Sequence, residues 1–427
     1  MTTSSTPAGP PTGGAPDGPL VARTVALDPA DVDDLLALLP ADRPVTWLRR
    51  GEGLVGWGVA AEIRTSGPTR FADAAKWWSE TTARADVEDE VQEPGTGLVS
   101  FGSFAFGAEP GHSVLVVPRV VVGRRGDRTW LTTVGADAPA PRPELTAQEP
   151  PVAPVGIAFA DGALDGERWM SVVADAVARI SRGDLEKVVL ARDLIATATE
   201  PVDVRWPLRR LTQLYPMCWT FHVDGMFGAT PEMLVRRERG LVTSRVLAGT
   251  IRRTGDDERD LALAATLARS SKDLEEHEYA VRSVADALDP HCSSMNVPEA
   301  PFVLHLPNVM HLATDVAGVV HDAATVSSLQ LAEALHPSAA VGGTPTPVAT
   351  ALIAQIEGMD RGRYAGPVGW MDAAGDGEWG IALRSASVEG ATVRLFAGCG
   401  IVGDSDPEAE LAEAQAKFVP VRDSLAP

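Results

Sequence analysis

Apolar and polar positions alternate in twos along much of this chain, and the stretches between them change to helical spacing. Lys187-Val-Val-Leu-Ala-Arg-Asp-Leu-Ile195 has the strand period, with Lys187, Val189, Ala191 and Asp193 on one side. Ser113–Val122 is a second strand pattern. From Cys218 to Arg252, and again from Gly366 to Val402, short β-rich runs are separated by Asp224-Gly225, Asp376-Gly377 and Glu389-Gly390. Such dipeptides are hairpin signals and predict antiparallel pairing. In the last of these runs, alternation over Glu378–Ala386 puts Trp379, Ile381 and Leu383 on a core face and Gly380, Ala382 and Arg384 on the other. Helical spacing predicts helices over Asp165–Arg182 and near 71–92, 258–288, 326–335, 346–358 and 406–422. The fold class is therefore α+β, with helices packed on large antiparallel sheets.

At 427 residues the chain can bury a large core. Residues 1–20 are rich in Pro, Gly, Ser and Thr and read as a disordered tail without the apolar stretch of a signal peptide. A Pro-rich stretch around 139–154 separates residues 21–150, which carry no recognisable chemistry, from residues 151–427, which carry nearly all of it. The formal charge of −21 argues against nucleic acid or an anionic membrane as a partner, since both need basic surface. A small anionic substrate would need a locally basic pocket or a bound cation. Cys218, Cys292 and Cys399 are widely spaced, so neither a disulfide framework nor a zinc site is predicted, and a reducing cytoplasm fits. No apolar run approaches the length that spans a bilayer.

The segment from Gly398 to Lys417 joins a glycine-rich loop to a helix that Ser405 or Asp406 should cap and Pro407 should open. At roughly 100° per residue, Glu410, Glu413 and Lys417 share one face. Gly398, Gly400 and Gly403 let the backbone approach a ligand. The same spacing also serves an ordinary solvated helix. Lys187 opens an apolar strand, where it either reaches solvent or is held neutral as a general base. Glu232, after Thr230-Pro231, is either an edge residue or a carboxyl kept protonated by burial. Asp273 and Glu276 follow Ser270-Ser271 in the first turn of a helix, where acids also complement the dipole. Arg384, projecting beside small neighbours, suits a carboxylate pocket or an open sheet face. His336, in Leu335-His-Pro-Ser-Ala-Ala-Val-Gly-Gly-Thr-Pro345, is structural or catalytic.

Taken in order, KVVLAR, ATPEML, LAGT, SSKDLEEH, HPSAAVGGTP, RYAGPVGW, IALRSA and AGCGIVGDSDPEAELAEAQAK resemble the chorismate-utilising enzymes over about residues 157–423. The resemblance implies the fold of that family, antiparallel sheets packed as a sandwich with helices outside. Its ammonia-using branches generally lack a lysine at the start of the KVV strand, whereas the isochorismate and salicylate synthases use that lysine to activate water. Lys187 thus selects the water branch, for which no glutaminase subunit is expected.

The chemistry implied is conversion of chorismate to isochorismate. Lys187 takes a proton from water attacking C2 and Glu232 protonates the hydroxyl leaving C4. The lysine must be neutral and the glutamic acid protonated near neutral pH, a pair pushed apart by environment. By the same resemblance Glu276 and Glu413 are ligands of Mg²⁺, with Glu410 and Asp273 in or near its shell. Arg384, Tyr364 and Lys417 surround the enolpyruvyl carboxylate, and Gly249, Thr250, His336, Gly398 and Gly400 complete the pocket. Ala340, where salicylate synthases tend to carry threonine, favours stopping at isochorismate over eliminating pyruvate to salicylate. Cys399 stands where alanine is common.

Overall fold

A computed structural model of the chain describes residues 18–305 and 309–427, apart from the side chains of Thr250, Lys272 and Glu276. Residues 1–17 of the expected tail lie outside the described residues. Its last position, Leu20, opens a strand instead and is buried.

Two large sheets of 13 and 10 strands dominate the described residues. The first runs from Ala158–Asp161 at one edge through Lys187–Thr197, Thr392–Ile401, Ser385–Glu389, Met226–Thr230 and Trp219–Val223 to Val45–Arg49. Beyond that it is built from the first 136 residues of the chain. The second runs from Cys292–Asn296 through Val309–Val320, Leu241–Arg252, Met233–Glu238, Gly377–Ile381 and Pro367–Asp372 to Val99–Ser103, Ser113–Val117 and Ala61–Thr65. The pairing is antiparallel as expected, except that Leu20–Leu27 pairs in parallel with Asp86–Asp89.

Trp47, Phe101, Phe104, Phe221, Val235, Trp370 and Trp379 belong to one buried core, to which both sheets contribute. A second cluster of buried residues lies where Leu35–Leu39 and the helices Arg205–Leu214 and Pro407–Ser424 contribute Leu208, Leu211, Phe418 and Val421.

The expected helices form, with instructive differences. The 71–92 pattern is a helix only over Arg70–Arg84, and Asp86–Asp89 is a strand. The 258–288 pattern breaks into Asp257–Leu267 and Ser271–Leu288, because Ser270 caps the second helix through its side chain. The 113–122 strand is two strands, Ser113–Val117 in the second sheet and Val120–Arg125 in the first. Asp224-Gly225 and Gly390 form the predicted turns with positive φ. At the third hairpin the left-handed residue is Gly375, and Gly377 already belongs to the strand.

Glu378–Ala386 is not one strand. Gly377–Ile381 ends in the second sheet, and the chain crosses to the first sheet before Ser385–Glu389. The antiparallel neighbour makes the same crossing in reverse, from Met226–Thr230 through Pro231-Glu232 to Met233–Glu238. The two crossings are bonded side by side, Ile381 N–H to Glu232 O at 3.1 Å and Ala229 N–H to Arg384 O at 3.2 Å. Arg384 sits at φ 49°, a left-handed conformation that costs a non-glycine residue about 1–2 kcal/mol. The sheets thus part at one level, and Glu232 and Arg384 are the residues at the parting.

Candidate active site

Lys187 opens the Lys187–Thr197 strand with Thr344 paired on one side, while Val188 and Val189 pair with Ile401 and Gly400 on the other. A methyl group added to Gly400 would stand 3.0 Å from Lys187 Cε, so the lysine lies over a surface only glycine keeps flat. A methyl on Gly398 would meet Leu190 O at 2.9 Å and the Tyr364 hydroxyl oxygen at 3.2 Å. Tyr364 is buried and stacks on Phe396 with centroids 5.0 Å apart. Burial raises its hydroxyl pKa despite the nearby Arg361 and Arg384 guanidiniums.

The helix Pro407–Ser424 is capped by Asp406, whose side chain accepts from Ala409 N–H. Ser405 instead contacts Glu410 Oε1 at 2.8 Å. Lys417 Nζ donates to Gly398 O at 2.9 Å and pairs with Glu413 Oε1 at 2.7 Å. Burial acts to raise the Glu413 carboxyl, but Lys417, with Arg252 and Arg384 beyond, holds it below its ordinary value. Burial pushes Glu410 up, Glu413 adds to this, and the Ser405 bond opposes it. One oxygen of each glutamate and Cys399 Sγ lie within 4.8 Å of one another. Two carboxylates this close, one partly desolvated and repelled by its neighbour, suit an oxygen-seeking cation. Cys399 is buried, donates to Glu410 O at 3.4 Å, and has its thiol pushed up to about 12 by burial.

Glu232 lies at the parting of the sheets, within reach of the Lys417 charge. Burial lifts its carboxyl to about 7, although Arg384, Lys187 and Lys417 all act to lower it. A carboxyl lifted toward neutrality thus lies within electrostatic reach of two guanidinium or ammonium groups, Arg384 and Lys417, and of the Lys187 amine. The Arg384 guanidinium makes no hydrogen bond to another described residue, and its charge acts on Glu232, Glu413, Tyr364 and Cys399.

Gly249 marks a bulge between Leu241–Arg252 and Val309–Val320, at φ 74°. Its missing side chain admits Asp273, whose Cβ would lie 3.2 Å from a methyl there. The side chains of Thr250 and Glu276 lie outside the described residues. His311, opposite Thr250, was not anticipated. Burial lowers its pKa, Arg384 and Lys417 add to this, and a bond with the Gly249 backbone opposes it. It is the polar residue between Met310 and Leu312 in an apolar run, and that interruption is its sequence signal. His277 pins the Ser271–Leu288 helix beside the bulge, through Ala248 O at 3.2 Å and Thr314 Oγ1 at 2.7 Å.

Two further expected residues lie on the segment that leads to Gly343–Thr344. The His336 ring packs against Phe71 and Phe106, and its Nε2 contacts Phe106 O at 3.0 Å. Burial lowers it to about 4, so the ring is neutral. Ala340 is exposed in the loop that leads to Gly343–Thr344. A cavity of about 480 Å³ between Arg43, His222 and Asp224 is lined by none of the candidate site residues. Its Asp224 is already paired with Arg64 at 2.7 Å.

With this geometry in place, the sequence profile described as "Chorismate binding enzyme" matches residues 18–426. The chain belongs to this family. The match runs through the N-terminal third, where the motifs alone gave little signal. The isochorismate synthase MenF of Bacillus subtilis (strain 168) is 32% identical over 406 residues, covering 87% of this chain and 85% of the relative. The salicylate biosynthesis isochorismate synthase of Pseudomonas aeruginosa is 34% identical, covering 95% and 90%. Among solved structures, MenF of Escherichia coli, a menaquinone-specific isochorismate synthase, superposes with a TM-score of 0.79 at 25% identity, covering 97% of this chain and 96% of the other. The α+β sandwich is thus the fold of the chorismate binding enzymes. No described helix is long and apolar enough to cross a membrane.

Proposed function

We propose that this chorismate binding enzyme is an isochorismate synthase. The observation that carries the reading is Glu232, a carboxyl lifted to about 7 by burial while facing Lys187, Arg384 and Lys417. A protonated acid opposite a lysine is what removal of one hydroxyl and addition of another requires. Lys187 as neutral amine accepts a proton from a water whose oxygen bonds to C2 of the ring. The ring double bonds shift, the C4–O bond breaks, and Glu232 delivers its proton to the departing hydroxyl, which leaves as water. Water consumed and water released balance, so the product is an isomer of the substrate.

Arg384, whose guanidinium hydrogen-bonds no described residue and whose charge reaches Tyr364, is the fork for the enolpyruvyl carboxylate, with Lys417 adding charge. Gly398 and Gly400 leave room for the ring. Glu413 and Glu410 would hold Mg²⁺, joined by Glu276 and with Asp273 alongside. When bound, the ion neutralises the ring carboxylate and adds positive field to a chain that is acidic overall. An ammonia-using reaction needs no base at Lys187, so the lysine speaks for water as nucleophile.

Incubation with chorismate and Mg²⁺, with and without EDTA, followed by chromatography tests the reading. Isochorismate that disappears with EDTA is expected. Release of pyruvate with salicylate would move the chain to the salicylate synthases, and no turnover would overturn the reading altogether.

A further inference from the structure

The Lys187–Thr197 strand has one continuous neighbour, Thr392–Ile401, and an outer edge covered piecemeal. At its start Gly343–Thr344 pairs with Lys187 and Val188, and Val189 N–H donates to Gly342 O at 2.9 Å. At its end Ala158–Asp161 pairs with Leu194–Thr197, and Gly162 N–H reaches Asp193 O at 3.1 Å. In between no described strand runs, although Val189 and Ala191 are buried. Unpaired backbone groups there would be strongly unfavourable.

Side chains take the place of the missing strand. Arg361 Nη2 donates to Val189 O at 2.7 Å, Glu357 Oε1 accepts from Ala191 N–H at 2.5 Å, and Trp169 Nε1 donates to Ala191 O at 3.1 Å. Arg361 Nη1 also donates to Val341 O at 2.9 Å, in the loop that leads to Gly343–Thr344. Glu357 and Arg361 are joined by two bonds of 2.7 Å and are almost fully buried, with the guanidinium over the Phe106 ring.

We propose that Glu357 and Arg361 are positioning residues for Lys187, which together fix the strand and loop on either side of it. This rests on the assignment of Lys187 as the base. Val189 is two residues beyond Lys187, and Val341 is three before its cross-strand partner Thr344. One planar guanidinium sets the spacing of both and so sets how the amine lies over Gly400. A buried ion pair is a poor device for stability alone, since apolar replacements often equal it. A fork reaching two carbonyls and a carboxylate at once is a device for geometry, and a lysine could not reproduce it.

The test compares Glu357→Gln, which keeps an oxygen for Ala191 N–H but loses the charge, with Arg361→Lys, which keeps the charge but loses the fork. Arg237→Lys is the control, because Arg237 makes a buried pair with Asp376 at 2.7 Å in the other sheet. For the first two we expect kcat per folded molecule to fall on the order of tenfold to a hundredfold, with KM near wild type and the rising limb of kcat against pH displaced. The control should lower Tm and change neither. Either variant alone suffices if the other fails to fold. Unchanged kcat, or a lower kcat with an unmoved pH limb, overturns the inference. A wild type that makes isochorismate and a Lys187→Ala variant that does not would confine such a failure to the positioning role. Full activity of Lys187→Ala would remove the base assignment and this inference with it.

Discussion

Glu232 carries the sharpest expectation for a single residue. Its carboxyl, lifted to about 7 by burial, is the proton donor in the proposed reaction, so kcat should fall as pH rises through that value. Glu232→Gln keeps the shape and loses the proton, and kcat should drop about 10²–10⁴-fold with the falling limb abolished. The same shift has a consequence for stability. The folded pKa lies above the unfolded one near 4.5, so the fold holds the proton longer than the unfolded chain does. The contribution is fully present below about 4.5 and is lost as pH rises through 7. At pH 8, Glu232→Gln should therefore be more stable than wild type, by about 1–3 kcal/mol, and at pH 4 it should not. Denaturant midpoints at the two pH values check this, and equal shifts at both would contradict the burial of the carboxyl.

At the scale of elements, the site is made where strands change sheet. The Lys187 strand, two of the hairpins and the Pro407–Ser424 helix were legible because each follows a local rule of period, turn or cap. The crossing at Ala382–Arg384 was not, because Trp379, Ile381 and Leu383 keep the period of two on paper while the backbone leaves its sheet. Glu357 and Arg361 were hidden for a related reason: an acid and a base at i and i+4 read as a surface pair, and only tertiary packing buries them. His336 carries contacts that its motif did not show, since its ring packs against Phe71 and Phe106. The crossing itself can be tested with Arg384→Asn, which tolerates the left-handed conformation better than arginine but has no guanidinium. Its Tm should equal or exceed that of wild type, while KM for chorismate should rise at least about tenfold, a loss of about 1.4 kcal/mol or more in binding. An unchanged KM would remove Arg384 from the carboxylate site. Gly400→Ala makes the complementary case on the neighbouring strand. The new methyl would sit 3.0 Å from Lys187 Cε and displace the amine. A fall in kcat on the order of a hundredfold is expected, with a change in Tm of only a few degrees; steady-state kinetics beside a thermal melt would show whether the two separate.

At the scale of the whole molecule, residues 18–150 are inseparable from the catalytic part. Trp219–Val223, in the first sheet, has Val45–Arg49 as its outer neighbour. Pro367–Asp372, in the second, has Val99–Ser103. Both junctions run edge to edge through the middle of a sheet, so removing the N-terminal third would open two buried strands along their length. It would also take Trp47, Phe101, Phe104 and Val116 out of the core, each no more than 2% exposed. Truncating a single buried aromatic typically costs about 3–5 kcal/mol, and a whole domain is stable by only about 5–15 kcal/mol. Loss of three aromatics at once, about 9–15 kcal/mol, is comparable to that whole margin even before the two open edges begin to pair with other chains. A fragment of residues 151–427, although it carries every residue assigned to the reaction, should therefore be aggregated or show no cooperative melt and no chorismate turnover. Coexpression with residues 18–150 should restore a soluble pair that melts cooperatively and turns over chorismate. A cooperative transition and isochorismate formation by the 151–427 fragment alone would contradict the interleaving of the two sheets.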